Sequence, residues 1–226
     1  MSFSDKLYKI LIQGGSWKTI LGGLWVTVQI SALALLTGTV LGALICLLRT
    51  RKNPIARGIA SVYIAILRGT PVLMLLLLLY YGVFARAGLA PVLVATITFA
   101  LNVSAHVAEL LRSALEAADK GQAEAARTLG FSAWSTFRLV TLPQVLRIAK
   151  PVYQSTIVNL IQWTSVVGYV TITDLTRVIN NTASRTMQPL LTIIIGMLIY
   201  LAMSYAVFGI FALTDKLRDR KRRAAA

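Results

Sequence analysis

Asn102, His106 and Glu109 recur at i, i+4 and i+7 within one apolar run, with Ser104 between them. That spacing puts the three on a single helix face. An amide, an imidazole and a carboxylate offer hydrogen bonds and one negative charge. This chemistry suits holding a zwitterionic solute, not breaking a bond. A charged side chain at bilayer depth costs roughly 2.5–3.5 kcal/mol on insertion scales, so it is rarely idle. Glu109 has an alternative partner in Arg112, three residues on, and the sequence leaves both readings open. His106 taken alone reads more simply as a hydrogen-bonded structural histidine. A second polar group, Asn159, Gln162, Thr164 and Ser165, interrupts a later apolar run and joins the list of candidate solute contacts.

Catalytic chemistry has no support. The chain lacks a G-x-x-x-x-G-K-[S/T] phosphate loop, an H-E-x-x-H pair and a G-x-S-x-G elbow. One histidine and one cysteine cannot build a multi-histidine or thiolate metal centre within a protomer. No residue is therefore assigned a catalytic or metal role, and no cofactor is expected in this chain. Cys46, between Ile45 and Leu47, reads as a small buried apolar side chain.

The other informative pattern is polar. Glu124-Ala125-Ala126, then Gly130, then Leu142-Pro143 lie in a stretch, 112–150, rich in good helix formers. Gly130 is placed to stop a short helix in the left-handed conformation, and Ser132 to cap the next, which Pro143 would end or bend. Two short helices at an angle are expected. Ala125 and Ala126 would let another surface approach closely, Glu124 would supply charge, and Phe131, Trp134 and Phe137 would supply apolar anchors.

The elements that must position these groups are membrane helices. Of 226 residues, 57% are hydrophobic and only 14% charged, against about 25% in soluble domains. A bilayer core takes roughly 20 apolar residues per helix. Five spans are expected, at about 19–48, 55–84, 91–111, 151–171 and 189–213, preceded by an interfacial segment 1–18 and followed by a basic tail 216–226. The fold class is all-α, with a cytoplasmic helix-turn-helix loop between the third and fourth spans. Arg68-Gly69-Thr70-Pro71 interrupts the second span. Either an amphipathic helix precedes a span from Pro71, or one long helix is broken at depth. Gly69 and Gly168 are candidates for close helix approach or unwinding, and the other glycines for ordinary small-residue packing.

The net charge of +15 reads as a membrane-orientation signal, not as a nucleic-acid footprint. With the N-terminus outside, Arg49, Arg51, Lys52, Arg57, Arg112, Lys120, Arg127 and the tail fall on the cytoplasmic side, as the positive-inside rule requires. An odd number of spans reconciles the basic loops with the basic tail. The first residues do not look like a cleaved leader.

Taken with Arg68-Gly69-Thr70-Pro71, Tyr80-Tyr81-Gly82, Ala108-Glu109-x-x-Arg112, Lys120-Gly121-Gln122 and Thr164-Ser165, the Glu124 to Pro143 pattern resembles the coupling motif of ATP-binding-cassette importer permeases. The chain is similar to the polar amino-acid uptake family from about Gly22 to the end of the fifth span. The resemblance implies a permease subunit in a bacterial inner membrane, dimeric with an identical or paralogous copy. It further implies two ATP-binding subunits, which would carry ATP and magnesium, and an extracytoplasmic solute-binding protein. Glu124, Ala125, Ala126, Gly130, Leu142 and Pro143 would then couple to the ATPase, and Arg68 to Pro71 would form a gate or helix break. The family usually shows Tyr at position 106 and a Lys-Asp-Thr-Ser type sequence where Gln162-Trp163-Thr164-Ser165 stands here. The rival readings are a stand-alone secondary transporter or channel, which would need intramembrane coupling acids, and a membrane enzyme. Paired interrupted helices, common in secondary transporters, are not seen.

Overall fold

A computed structural model describes the backbone of residues 2–224 and the side chains of residues 2–217. The remainder of the expected tail 216–226 lies outside the described residues. Among the described residues ten α-helices follow one another: α1 (Phe3–Leu11), α2 (Ser16–Thr50), α3 (Pro54–Gly69), α4 (Val72–Leu77), α5 (Pro91–Ala117), α6 (Lys120–Thr128), α7 (Ala133–Thr136), α8 (Leu142–Trp163), α9 (Leu175–Thr186) and α10 (Pro189–Ala224). Among the described residues there is no strand.

Among the described residues three helical segments are long and apolar enough to cross a membrane, Gln13–Thr50, Pro91–Ala117 and Pro189–Leu217, whose most apolar 18-residue stretches have mean hydropathies of 2.3, 1.6 and 2.2. A fourth is added if α3 and the Val72–Val83 helix count as one broken span. The break is real. The Asn53 side chain accepts from Ile55 N at 2.9 Å and opens α3, with Pro54 at its first position. Thr70 is extended (φ −101°, ψ 133°), as the residue before a proline prefers. Both alternatives for this segment share this interruption.

Two boundaries differ from expectation. The helix of the third expected span does not stop at 111 but runs to Ala117, because Arg112 pairs with Glu109 and Glu116 at i−3 and i+4 and carries the helix on. The fourth element begins at Leu142, not 151, and passes through Pro151. Its 22 residues include Arg147, Lys150 and four side-chain amides, and it is not among the helices that qualify as spans. Its continuation, Thr164–Val170, is a 3₁₀ segment that ends at Thr171 with φ 67°.

The chain divides into two compact units. The first comprises the described residues of Met1–Leu35, Pro71–Phe99 and Ile157–Ala226. Its core joins Ile20 to Leu175, Val178 and Ile179, with Leu24, Ile199 and Met203 packed around them. Asp174 is fully buried and caps α9, accepting from Thr176 N at 3.0 Å and Arg177 N at 3.1 Å. Gly23 lets α2 approach this cap, since a Cβ there would sit 2.8 Å from the Asp174 carbonyl oxygen.

The second unit comprises Leu36–Thr70 and Ala100–Thr156. Here Gly38 and Gly42 face α5: an added Cβ would lie 2.8 Å from the Ala100 carbonyl oxygen and 2.7 Å from that of Ser104. This is small-xxx-small packing, at glycines that no sequence pattern singles out. Gly69 has open space around its Cα, so close helix approach is not its role. Tyr63 OH shares a 2.6 Å hydrogen bond with Ser104, and Thr39 with Tyr153 OH at 2.7 Å.

Candidate functional site

The polar loop in the second unit is built from its caps. Asp119 accepts from Gly121 N at 2.8 Å and starts α6. At the other end Phe131 N donates to Ala126 O (3.2 Å) and Gly130 N to Arg127 O (3.0 Å), with Gly130 at φ 90°. These two bonds define a Schellman stop, the role expected of Gly130. Ser132 accepts from Ser135 N at 3.2 Å and opens α7. The chain does not then end in a second short helix. It widens into a π-type turn, Phe137–Thr141, in which Leu142 N donates to Phe137 O, and continues as α8. Pro143 sits at the second position of α8. It neither ends nor stops the helix, because the wide turn just before it absorbs the missing donor and the ring's bulk.

Glu124 and Ala125 are exposed on α6, while Ala126 is buried against its own chain. Close approach by another surface is thus available at Ala125, not at both alanines. Leu129, Trp134 and Phe131 show 79%, 67% and 41% of their surface; Trp134 stacks on Phe137, ring centres 6.0 Å apart. Leu142 and Pro143 are half-buried. One residue missed in the sequence holds the loop. Gln144 of α8 accepts from Asp119 N at 3.1 Å and donates to the Gln122 side chain at 3.0 Å. Behind them Ala114, Ala118, Val145 and Ala149 pack α5 on α8. A glutamine at the third position of α8, seven residues before the expected span start at 151, carries no pattern that would reveal this.

The candidate solute contacts fall into two sets. In the second unit, Asn102 is buried and donates Nδ2 to Leu67 O at 2.9 Å. Leu67 lies in the last turn of α3, where carbonyls lack intrahelical partners, so Asn102 completes the helix end before the Arg68 to Pro71 break. His106 is half-buried one turn on. Glu109 is bidentate with Arg112, at 2.6 and 3.1 Å; this geometry favours its ion-pair alternative. In the first unit, Thr164 is fully buried and donates to Ile161 O at 2.6 Å. Gln162 and Ser165 open onto two adjoining cavities of about 350 and 510 Å³ that share Thr176 and Asn180. The first has an apolar wall of Ile179, Ile193 and Met197. The second carries Arg177 and Asn181, and Arg177 Nη1 donates to Gly168 O at 2.7 Å. A cation and amides beside an apolar wall can seat a small molecule with a charged end and a side chain.

Similarity to known proteins agrees with this anatomy. The chain is 35% identical over 208 residues to the probable amino-acid ABC transporter permease protein YckA of Bacillus subtilis strain 168, covering 91% of this chain and 90% of that protein. It is 32% identical to the L-cystine transport system permease protein TcyB of the same organism, covering 82% and 80%. Its fold superposes on a crystal structure of an amino acid ABC transporter with histidines at a TM-score of 0.82, with 28% identity over 96% of this chain and 98% of that one. The family described as binding-protein-dependent transport system inner membrane component matches residues 34–220. A ten-helix chain with apolar spans and a capped polar stub thus belongs to the inner membrane components of binding-protein-dependent transport systems.

Proposed function

We propose that this chain is the permease subunit of an ATP-driven importer for a polar amino acid or a close analogue, and that α6 docks into a separate ATPase. The observation that carries the proposal is the α6 stub: it is capped at both ends, exposes Glu124 and Ala125, and is flanked by the uncovered Leu129 and Trp134. Apolar and aromatic side chains left in water around a rigid helix are what a partner interface uses. Two ATP-binding subunits would carry ATP and magnesium, and a second copy of the permease or a paralogue would complete the pore. A solute-binding protein would deliver cargo from outside. Nucleotide-driven closure pressing on α6 would move α8, to which Gln144 ties it. We assign the solute route to Gln162, Ser165 and Arg177 in the first unit. Thr164 and Asn102 then act through packing, and Glu109 acts through Arg112.

The names of the relatives support the amino-acid class, and the basic residues around the loop support a cytoplasmic α6 with the N-terminus outside. The test is ATP-dependent uptake by the complex in proteoliposomes, scored with labelled amino acids. Glu124→Lys is expected to abolish uptake and substrate-stimulated ATP hydrolysis while leaving assembly in the membrane intact. Wild-type coupling in Glu124→Lys would overturn the docking assignment. The sole native cysteine, Cys46, is buried, so Leu129→Cys gives a clean label for sidedness. Its modification by an impermeant maleimide from the outer face would overturn the orientation.

A further inference from the structure

At the corner where α2 ends and α3 begins, a cavity of about 330 Å³ is lined by Arg49, Thr50, Arg51, Arg57, Arg112 and Glu116. Four arginines there face two carboxylates, Glu116 and the neighbouring Glu109, and Arg112 engages both of these itself. Among the described residues no carboxylate pairs with Arg49, Arg51 or Arg57. The recess carries a net positive charge, four arginines against Glu116 and Glu109, the latter also within electrostatic reach of Arg49. The first amides of α3 do not supply an alternative, because Asn53 already accepts from Ile55 and Ala56.

One face of α2 leads to this recess. Leu36, Val40, Leu44 and Leu47, at spacings of four, four and three, are each more than half exposed and form a continuous apolar stripe on a membrane-crossing helix. The stripe ends one turn from Arg51. A ligand that fits both parts has an anionic head and a hydrocarbon body.

We propose that the α2–α3 corner holds the phosphate headgroup of an anionic phospholipid, with its acyl chains along the Leu36 to Leu47 stripe. Arginine forks bind phosphate oxygens in pairs, and basic pockets at the ends of membrane helices take anionic headgroups. The site needs only a membrane-embedded chain, so its failure would leave the importer reading untouched.

Native mass spectrometry of the transporter complex, exchanged into mixed phosphatidylcholine and phosphatidylglycerol, tests it. The wild type is expected to retain phosphatidylglycerol over phosphatidylcholine. Arg51→Gln and Arg57→Gln, both at exposed positions, should each weaken retention about fivefold, and the double variant about 25-fold. Arg86→Gln, outside the recess, serves as the control and should retain lipid as the wild type does. Equal retention in the double variant, or no preference for the anionic lipid, would overturn the proposal. Displacement of the lipid by millimolar inorganic phosphate alone would identify a soluble-anion pocket and likewise reject the lipid.

Discussion

Gly130 gives the most direct test of how the loop is built. Its φ of 90° is open to glycine and costly for other residues, yet a Cβ at this position would meet nothing within 4 Å. Any effect of substitution is therefore conformational, not steric. Forcing an L-residue into the left-handed region costs about 1–2 kcal/mol, which corresponds to a five- to thirtyfold shift in the closed-to-open ratio of the turn. The reporter is the Phe131 amide, bonded to Ala126 O at 3.2 Å. Hydrogen exchange followed by mass spectrometry should show that amide speeding up by this factor in Gly130→Ala. Gly130→Val should go further, because a branched Cβ fits φ > 0 least well, and Gly130→Asn should stay close to wild type. Coupled ATP hydrolysis should fall in the same order while total helix content stays constant. Unchanged exchange at Phe131 in both the Ala and Val variants would refute the assignment of this residue as the stop.

Three further outcomes are expected. Gly42→Ala places a Cβ 2.7 Å from the Ser104 carbonyl oxygen and should cost about 1–3 kcal/mol, seen as a lower unfolding midpoint in detergent; Gly58→Ala in α3, with open space around it, should gain up to about 1 kcal/mol. Burial pushes the Asp174 carboxyl above its ordinary 3.8 despite the opposing amide bonds. The unfolded chain thus loses this proton first, and the Asp174 contribution to stability is greatest below 3.8 and declines as pH rises through the raised value. Asp174→Asn keeps the cap acceptor and should flatten that part of the pH profile of the unfolding midpoint. Gln162→Ala should change the affinity or preference for solute in uptake assays, whereas Glu109→Gln should lower stability and leave preference unchanged; the opposite pair of results would move the route to α5.

The loop was legible because its determinants are local. Helix formers before Gly130, a serine two residues later and a glycine's freedom of φ are all read within ten residues of chain. The break at Thr70-Pro71 was legible for the same reason. The far end of the loop was not, since Pro143 alone argues for termination and only a π-type turn, stabilised by packing of α6 and α7, reconciles it with a continuous helix. Gly38 and Gly42 look like any other glycines in an apolar run until the backbone of α5 is known to pass them. Asn102 illustrates the limit for function. It lies on one helix with His106 and Glu109, but its amide is used on a carbonyl 35 positions earlier, a pairing no periodicity encodes. The residues of the two cavities on α9, Thr176, Arg177 and Asn180, were passed over because they flank the apolar runs.

The two bonds made by Gln144 have a mechanical meaning. A short strut fastened only at its ends to flexible chain would swing when struck and dissipate the motion. This one is bolted near its start to the base of a helix of 22 residues, about 33 Å long at 1.5 Å per residue. A load placed on the stub would therefore pass to the opening turns of that helix through two fixed amide contacts. Cutting the two amide bolts with Gln144→Ala would leave the stub free to recoil without moving the start of that helix.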